Sequence, residues 1–229
     1  ASSSSALTYY VRLDGGTIEQ CDGLQDVPYP GSGLSQPCAW NHPFQALPPG
    51  GSPRIAGGDT LILAAGSYPM GYGALGAESC DYDGSFDCHL PPLPGGPDPD
   101  HPTRLLGAGW DSGCAAPPEL WGTGRPWVVL NLTDSSNVQV ACLEFTDHSS
   151  CIEDHLHSSG GSVYTCQRDA PPYGDWVATG LYAEDSENVL LEDLYIHGLA
   201  NNGVLAGRLT DWTVRNVRII GNGWVGWNG

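Results

Sequence analysis

The chain contains no lysine. Eight arginines carry all of its positive charge against 26 acidic residues, for a formal net charge of −18. A surface of that sign repels DNA, RNA and anionic membranes, which excludes nucleic-acid binding as a function class. It equally repels anionic polysaccharides unless cations or a local arginine patch intervene. The missing lysine also removes any lysine base from the chemistry open to the chain. No apolar run approaches the roughly 18 residues that a membrane-spanning helix needs, so no membrane partner is expected. No Cys-x-x-Cys occurs and the cysteine spacings are wide, which argues against a structural zinc site.

What is present points outward from the cell. Eight cysteines, an even number, suit an oxidising compartment. Neighbours in sequence are the expected partners: Cys21 with Cys38, Cys80 with Cys88, Cys114 with Cys142 and Cys151 with Cys166. Eight cysteines allow about 105 connectivities, so spacing alone leaves others open. An opening of Ala1 followed by four serines fits a mature start after signal cleavage. The expectation is a secreted protein, extracellular or at the cell surface. With 229 residues, 40% of them hydrophobic, the chain can build a sizeable core, and its 32 glycines and 19 prolines imply many turns and few long helices.

The fold is written in a repeat. Gly180, Gly203 and Gly226 recur with a period of 23, each followed by an apolar residue (Leu181, Val204, Trp227). Val189 returns as Trp212, Leu191 as Val214, Leu194 as Val217 and Ile196 as Ile219. Within each unit the apolar positions alternate, the period of strands and not of helices. A unit of that length, holding two or three short strands, reads as one coil of a parallel β-helix, an all-β solenoid whose coils stack at the strand spacing. The outward columns agree. Glu192 and Arg215, Asp185 and Arg208, and Tyr195 and Arg218 stand one period apart, each a favourable pair on adjacent coils.

Earlier in the chain, Ser135–Phe145 matches Ser186–Ile196 at a distance of 51, a surplus of 28 over one coil. The surplus places an inserted loop at 147–177, clipped by Cys151 and Cys166. Arg104–Gly109 and Glu119–Gly124 read as earlier coils, with Leu120 one period before Leu143. The proline-rich Leu90–Pro102 reads as a surface loop. The resulting organisation is one β-helix domain over 1–229: a Ser-rich tail (1–8), a cap and first coil (9–68), early coils with insertions (69–146), the disulfide-bonded loop (147–177) and regular coils (178–229) whose C-terminal end carries no cap.

Three N-terminal stretches appear in a characteristic order: YYVRLDGGT (Tyr9–Thr17), HPFQAL (His42–Leu47) and GGDTLILAAGSY (Gly57–Tyr68). Together they resemble the opening of secreted bacterial right-handed parallel β-helix proteins of the pectate-lyase-like superfamily. The resemblance implies a right-handed coil and a polysaccharide partner, with activities that range from lyase and hydrolase to adhesin. Lyases of that superfamily use an arginine or lysine base, often with calcium. Arg208, Arg215 and Arg218 are the arginines on the regular coils, and each already has a stacking partner. Superfamily hydrolases use closely placed aspartates, but no Asp-Asp pair or Gly-His-Gly motif stands here, so no catalytic set carries over and enzyme activity is left open.

Candidate sites come from local chemistry. The stretch Asp147–His157 is the densest polar cluster, with Asp147, His148, Glu153, Asp154, His155 and His157. Carboxylates beside imidazoles suit proton transfer or a divalent metal, and equally a solvated loop. Asp154, His155 and His157 are the catalytic candidates. Tyr164, Tyr173 and Trp176 are the candidate sugar-stacking wall. Asp81, Asp83 and Asp87, in a turn closed by Cys80 and Cys88, offer oxygens for calcium or form a plain polar hairpin. Asn131–Thr133 is a glycosylation sequon. Two functions follow. One is a secreted, polysaccharide-associated β-helix that binds, or cleaves as a lyase or hydrolase would. The other is a structural subunit of an extracellular fibre that self-associates head-to-tail, motivated by the uncapped end and the Ser2–Ser5 tail.

Overall fold

The computed structural model describes residues 5–81, 85–154 and 163–229, with Asp154, Val163 and Tyr164 described by backbone alone. The secondary structure is almost entirely parallel strand. The one α-helix among the described residues, α1 (Pro43–Ala46), is a single turn set by its own sequence. His42 caps it, accepting from the Phe44 amide at Nδ1 (3.1 Å) and donating from Nε2 to the Pro69 carbonyl (2.9 Å). Burial pushes the His42 imidazole down to about 4, which fits a neutral ring with one donor and one acceptor.

The strands run in chain order. β1 (Thr8–Gly16) is followed by β2 (Thr60–Leu63), β3 (Ser67–Gly71), β4 (Thr103–Gly107), β5 (Glu119–Thr123), β6 (Val128–Asn131) and β7 (Ser136–Asp147). A short antiparallel pair, β8 (Glu153–Asp154) and β9 (Val163–Tyr164), precedes β10 (Thr179–Glu184), β11 (Glu187–His197), β12 (Asn202–Gly207), β13 (Thr213–Arg215), β14 (Arg218–Ile220) and β15 (Val225–Asn228). One parallel sheet has the path β1-β2-β4-β7-β11-β13, with β14 and β5 also attached to it. A second runs β15-β12-β10-β6.

The register expected from the repeat is present in both sheets. Leu191 pairs with Val214 and Tyr195 with Arg218. Leu181 pairs with Val204, and Val204 with Trp227. The preceding rung joins at the longer spacing, Val138 opposite Val189 and Leu130 opposite Leu181, with the insertion between. Inward columns such as Val140–Leu191 and Phe145–Ile196 are fully buried and continuous with one hydrophobic core. The outward pairs form as well: Arg215 Nε lies 2.6 Å from Glu192, Arg208 Nε 2.5 Å from Asp185, and the Arg218 guanidinium 5.2 Å from the Tyr195 ring centre.

Two local devices make the register possible. A Cβ on Gly180 would lie 2.8 Å from the Gly203 carbonyl, and one on Gly203 would lie 2.6 Å from that of Gly226, so close backbone approach requires the glycine column. The corners, in turn, use left-handed residues that stack with the rungs. Asp134, Asp185 and Arg208 form one column, Asn137, Asn188 and Asp211 the next, and Cys142, Asp193 and Asn216 a third, all with positive φ. Asn and Asp tolerate that region best. Asn188 also donates to Asn137 Oδ1 (2.6 Å), tying one rung to the next.

The early chain departs from the expected spacing in three ways. Leu120 pairs with Phe145 and not with Leu143. Arg104–Gly109 and Glu119–Gly124 do not form two coils: β4 and β5 pair with the first and second halves of β7, so they belong to one rung. The one-residue corner at Cys142 is replaced in that rung by residues 108–118, which the Cys114–Cys142 disulfide clips to the same corner. Finally, Leu90–Pro102 is not wholly a surface loop. Leu90 and Leu93 are buried, and Leu90 bridges to Leu130 as part of the second sheet's stack.

All four cysteine pairs expected from spacing are bonded: Cys21–Cys38, Cys80–Cys88, Cys114–Cys142 and Cys151–Cys166. The first lies in the segment 17–41 that covers the first rung. There Trp40 stacks on Tyr9 with ring centres 5.0 Å apart and donates to the Cys21 carbonyl (3.0 Å). Among the described residues no helix is long and apolar enough to cross a membrane. Val214, Ile220, Trp224 and Trp227, on and beside the last strands, are exposed large apolar residues.

Candidate functional site

The insertion after β7 does not simply project. Its root is fastened to β5. His148 Nε2 meets Glu119 (2.9 Å), its ring stacks on Trp121 (4.1 Å between centres), and Thr123 donates to Asp175 (2.7 Å). Asp147 closes the root from inside, accepting from the Ser149 amide (3.0 Å). Burial pushes its carboxyl up to about 7. The hydrogen bond from the Ser149 amide, the neighbouring amides of Val177 and Ala200 and nearby His148 pull the other way. The Cys151–Cys166 disulfide, Trp176, Ala178 and Ala200 then form a second small apolar cluster, with Trp127 packed against it.

That packing makes a cleft of about 280 Å³ where the insertion meets the start of the second sheet. It is lined by Phe86, Trp127, Glu153, Arg168, Thr179, Asn201, Asn202, Leu205, Trp224 and Asn228, among others. The lining is assembled by the register. Thr179 donates its amide to the Trp127 carbonyl, Asn201 to Ala178, and Trp224 to Asn201, so Trp127, Ala178, Asn201 and Trp224 occupy one corner of four successive rungs. Three strand spacings put the two indoles roughly 14 Å apart along the stack.

The chemistry of the cleft is mixed. Trp127 is flanked by Phe86 (ring centres 6.0 Å apart, 19° between planes) and by Tyr182 (4.4 Å). Trp224 and Phe86 are exposed at 38% and 42%. Glu153, nearly buried, is paired with Arg168 at 3.0 Å. Asn201 and Asn202 are buried, and their side-chain carbonyl oxygens meet no donor among the described residues. Apolar ring faces beside convergent carboxylate, guanidinium and amide groups are what a sugar chain requires, since each sugar ring has an apolar C–H face and a polar hydroxyl edge.

The sequence candidates fall unevenly around this site. Glu153, from the polar cluster of the insertion, lines it. Asp154 pairs with Val163, and Tyr164 with Glu153, through the backbone. His155 and His157 lie outside the described residues. Trp176 does not form a sugar-stacking wall: it is 3% exposed, and its indole donates inward to the Tyr173 carbonyl (2.7 Å). Apolar packing against the disulfide overrides the loop position that suggested exposure. One face of Tyr173 is covered by the Arg125 guanidinium, 4.4 Å from the ring centre. Asp81 and Asp87 line a separate shallow pocket with Pro49 and Ser79, and Asp83 lies outside the described residues. Among the described residues no group of three or more His, Cys, Asp or Glu is placed to hold a metal ion.

A second polar array stands on the outer face of the first sheet. Glu119 and Glu144 are direct neighbours on adjacent strands. Ser67 donates to Glu119, which also meets His148, while Glu144 meets His197 Nε2 at 2.6 Å. The His197 ring stacks on Tyr195 (4.1 Å). Each carboxylate thus has its imidazole, and each imidazole an aromatic backing, so the array is internally satisfied.

No family model, curated protein or solved structure matches the chain. The reading of the cleft therefore rests on its own geometry.

Proposed function

We propose that the protein is a secreted, right-handed parallel β-helix that binds a glycan chain in the cleft between the 148–176 insertion and the second sheet. The constant register in two parallel sheets, the stacked corner residues and the covered first rung support the β-helix. Four disulfides support secretion into an oxidising compartment. The observation that carries the function is the register-built row Trp127–Ala178–Asn201–Trp224, with an aromatic at each end and the Glu153–Arg168 pair beside it.

Binding needs only this cleft, and chemistry on the bound chain is no part of the proposal. Affinity measurements on a panel of soluble polysaccharides test it. The native protein is expected to retain at least one glycan, and Trp224→Ala to weaken that binding roughly tenfold or more, as loss of a stacking anchor does. Binding that survives both Trp127→Ala and Trp224→Ala unchanged would place the ligand elsewhere and defeat the reading.

A further inference from the structure

Resting on that reading, we infer that the glycan is uncharged, and that the Glu153–Arg168 pair excludes uronates by withholding the cleft's guanidinium from them. The lining contains one cation and one anion among the described residues, Arg168 and Glu153, and they are paired at 3.0 Å. Everything else in the wall is neutral: aromatic rings, Thr179, Leu205 and the amides of Asn201, Asn202 and Asn228.

A uronate carboxylate entering this space meets three penalties. It must shed water, because a groove partly closed by the insertion takes the group out of bulk solvent. It must face Glu153, whose side chain is only 8% exposed and so is weakly screened. It also approaches a chain of net charge −18 that has no lysine to offset the field. The compensating interaction would be a guanidinium fork on the carboxylate, and the Arg168 guanidinium is already ion-paired with Glu153, Nε 3.0 Å from its carboxylate.

A neutral sugar meets none of these. Its hydroxyls both donate and accept, so a vicinal pair can donate to the Glu153 carboxylate while accepting from Arg168, and the two charges stay matched. The ring face stacks on Trp224 or Trp127 without electrostatic cost. The pair therefore acts as a specificity device: it reads hydroxyls and rejects carboxylates.

Titration calorimetry with the full chain tests this. The probes are neutral β-linked gluco-, manno- and xylo-oligosaccharides and an oligogalacturonate, with native protein, Glu153→Gln, Trp224→Ala and Trp127→Ala. The expected result is that a neutral oligomer binds with little dependence on salt and that the galacturonate binds at least ~tenfold more weakly. Glu153→Gln is isosteric and removes the one anion of the cleft among the described residues, so it should raise galacturonate affinity by ~tenfold or more and, because a sugar hydroxyl loses its carboxylate acceptor, weaken neutral binding by about threefold or more. A cooperative melting transition shows that the variant is folded. Galacturonate binding native protein as well as the neutral oligomers do, or no gain in Glu153→Gln, overturns the inference while the glycan-binding reading stands. Binding of no oligomer, or neutral binding unchanged by both Trp224→Ala and Trp127→Ala, overturns both.

Discussion

Replacing Leu191 by alanine probes the stacking at its centre. Leu191 is fully buried, with Val140 directly on one side and Val214 on the other in the same inward column. Removing its side chain leaves a cavity that two rigid strands cannot close, and the cost for such a site is about 2–5 kcal/mol. For a domain of this size that lowers the melting midpoint by roughly 5–15 °C. Two controls make the test specific. Leu190 precedes it on the same strand but points outward and is only half-buried, and Val214 occupies the same column on β13 at 44% exposure. Alanine at either should cost about 1 kcal/mol or less. Urea and thermal unfolding of the three variants gives the comparison. Equal losses at Leu190 and Leu191 would mean that the inside–outside alternation is wrong, and a negligible loss at Leu191 would mean that the column is not packed.

Three further outcomes follow from the same structure. The Asp147 carboxyl, raised to about 7 in the fold, holds a proton that the unfolded chain has already lost above its ordinary value of 3.8; this site's contribution to stability therefore falls as pH rises through that window and stays low above it. Asp147→Asn should accordingly raise the urea midpoint at about pH 8.5 and change it little at about pH 4.5, and an equal effect at both would show that this group is not the source. Replacing both Cys151 and Cys166 by serine opens a loop closed over 15 residues of separation, a loss of about 3 kcal/mol in chain-entropy terms. Trypsin, which in this lysine-free chain cuts only after arginine, should then cleave after exposed Arg168 much faster than in native protein; unchanged digestion would mean that packing on Trp176 and Trp127 holds the insertion by itself. The Asn188–Asn137 side-chain bond links two rungs at a left-handed corner. Asn188→Gly should cost little there, whereas Asn188→Val should cost about 1–3 kcal/mol through backbone strain; matching values for the two would remove the corner argument.

Much of this fold was legible because the regular rungs obey one spacing. Apolar residues one period apart, with Glu192 before Arg215 and Asp185 before Arg208, locate the later strands without any structure. The same spacing also held a signal that apolar counting passes over: Asp185 and Arg208, Asn188 and Asp211, and Asp193 and Asn216 mark the left-handed corners in register. Upstream, insertions break the rule. Residues 108–118 enlarge a corner and shift Leu120 from Leu143 to Phe145, and Leu90 reaches the core out of a proline-rich stretch because one apolar side chain suffices to continue a column. The cleft was the least legible part. Phe86, Trp127, Glu153 and Trp224 come from four distant segments, and only the stacking brings them together. Its one sequence trace is that Trp224 follows Asn201 by a single period of the repeat.

The most direct test of the cleft is to follow the indole N–H resonances of the eight tryptophans by NMR while titrating a neutral oligosaccharide that binds. The indole signals of Trp127 and Trp224 should shift together and saturate at one affinity, while Trp40, at the far end of the stack, and Trp121, on the other sheet, stay in place. Shifts confined to Trp121 or Trp40, or none at Trp127 and Trp224 under saturating ligand, would contradict the site.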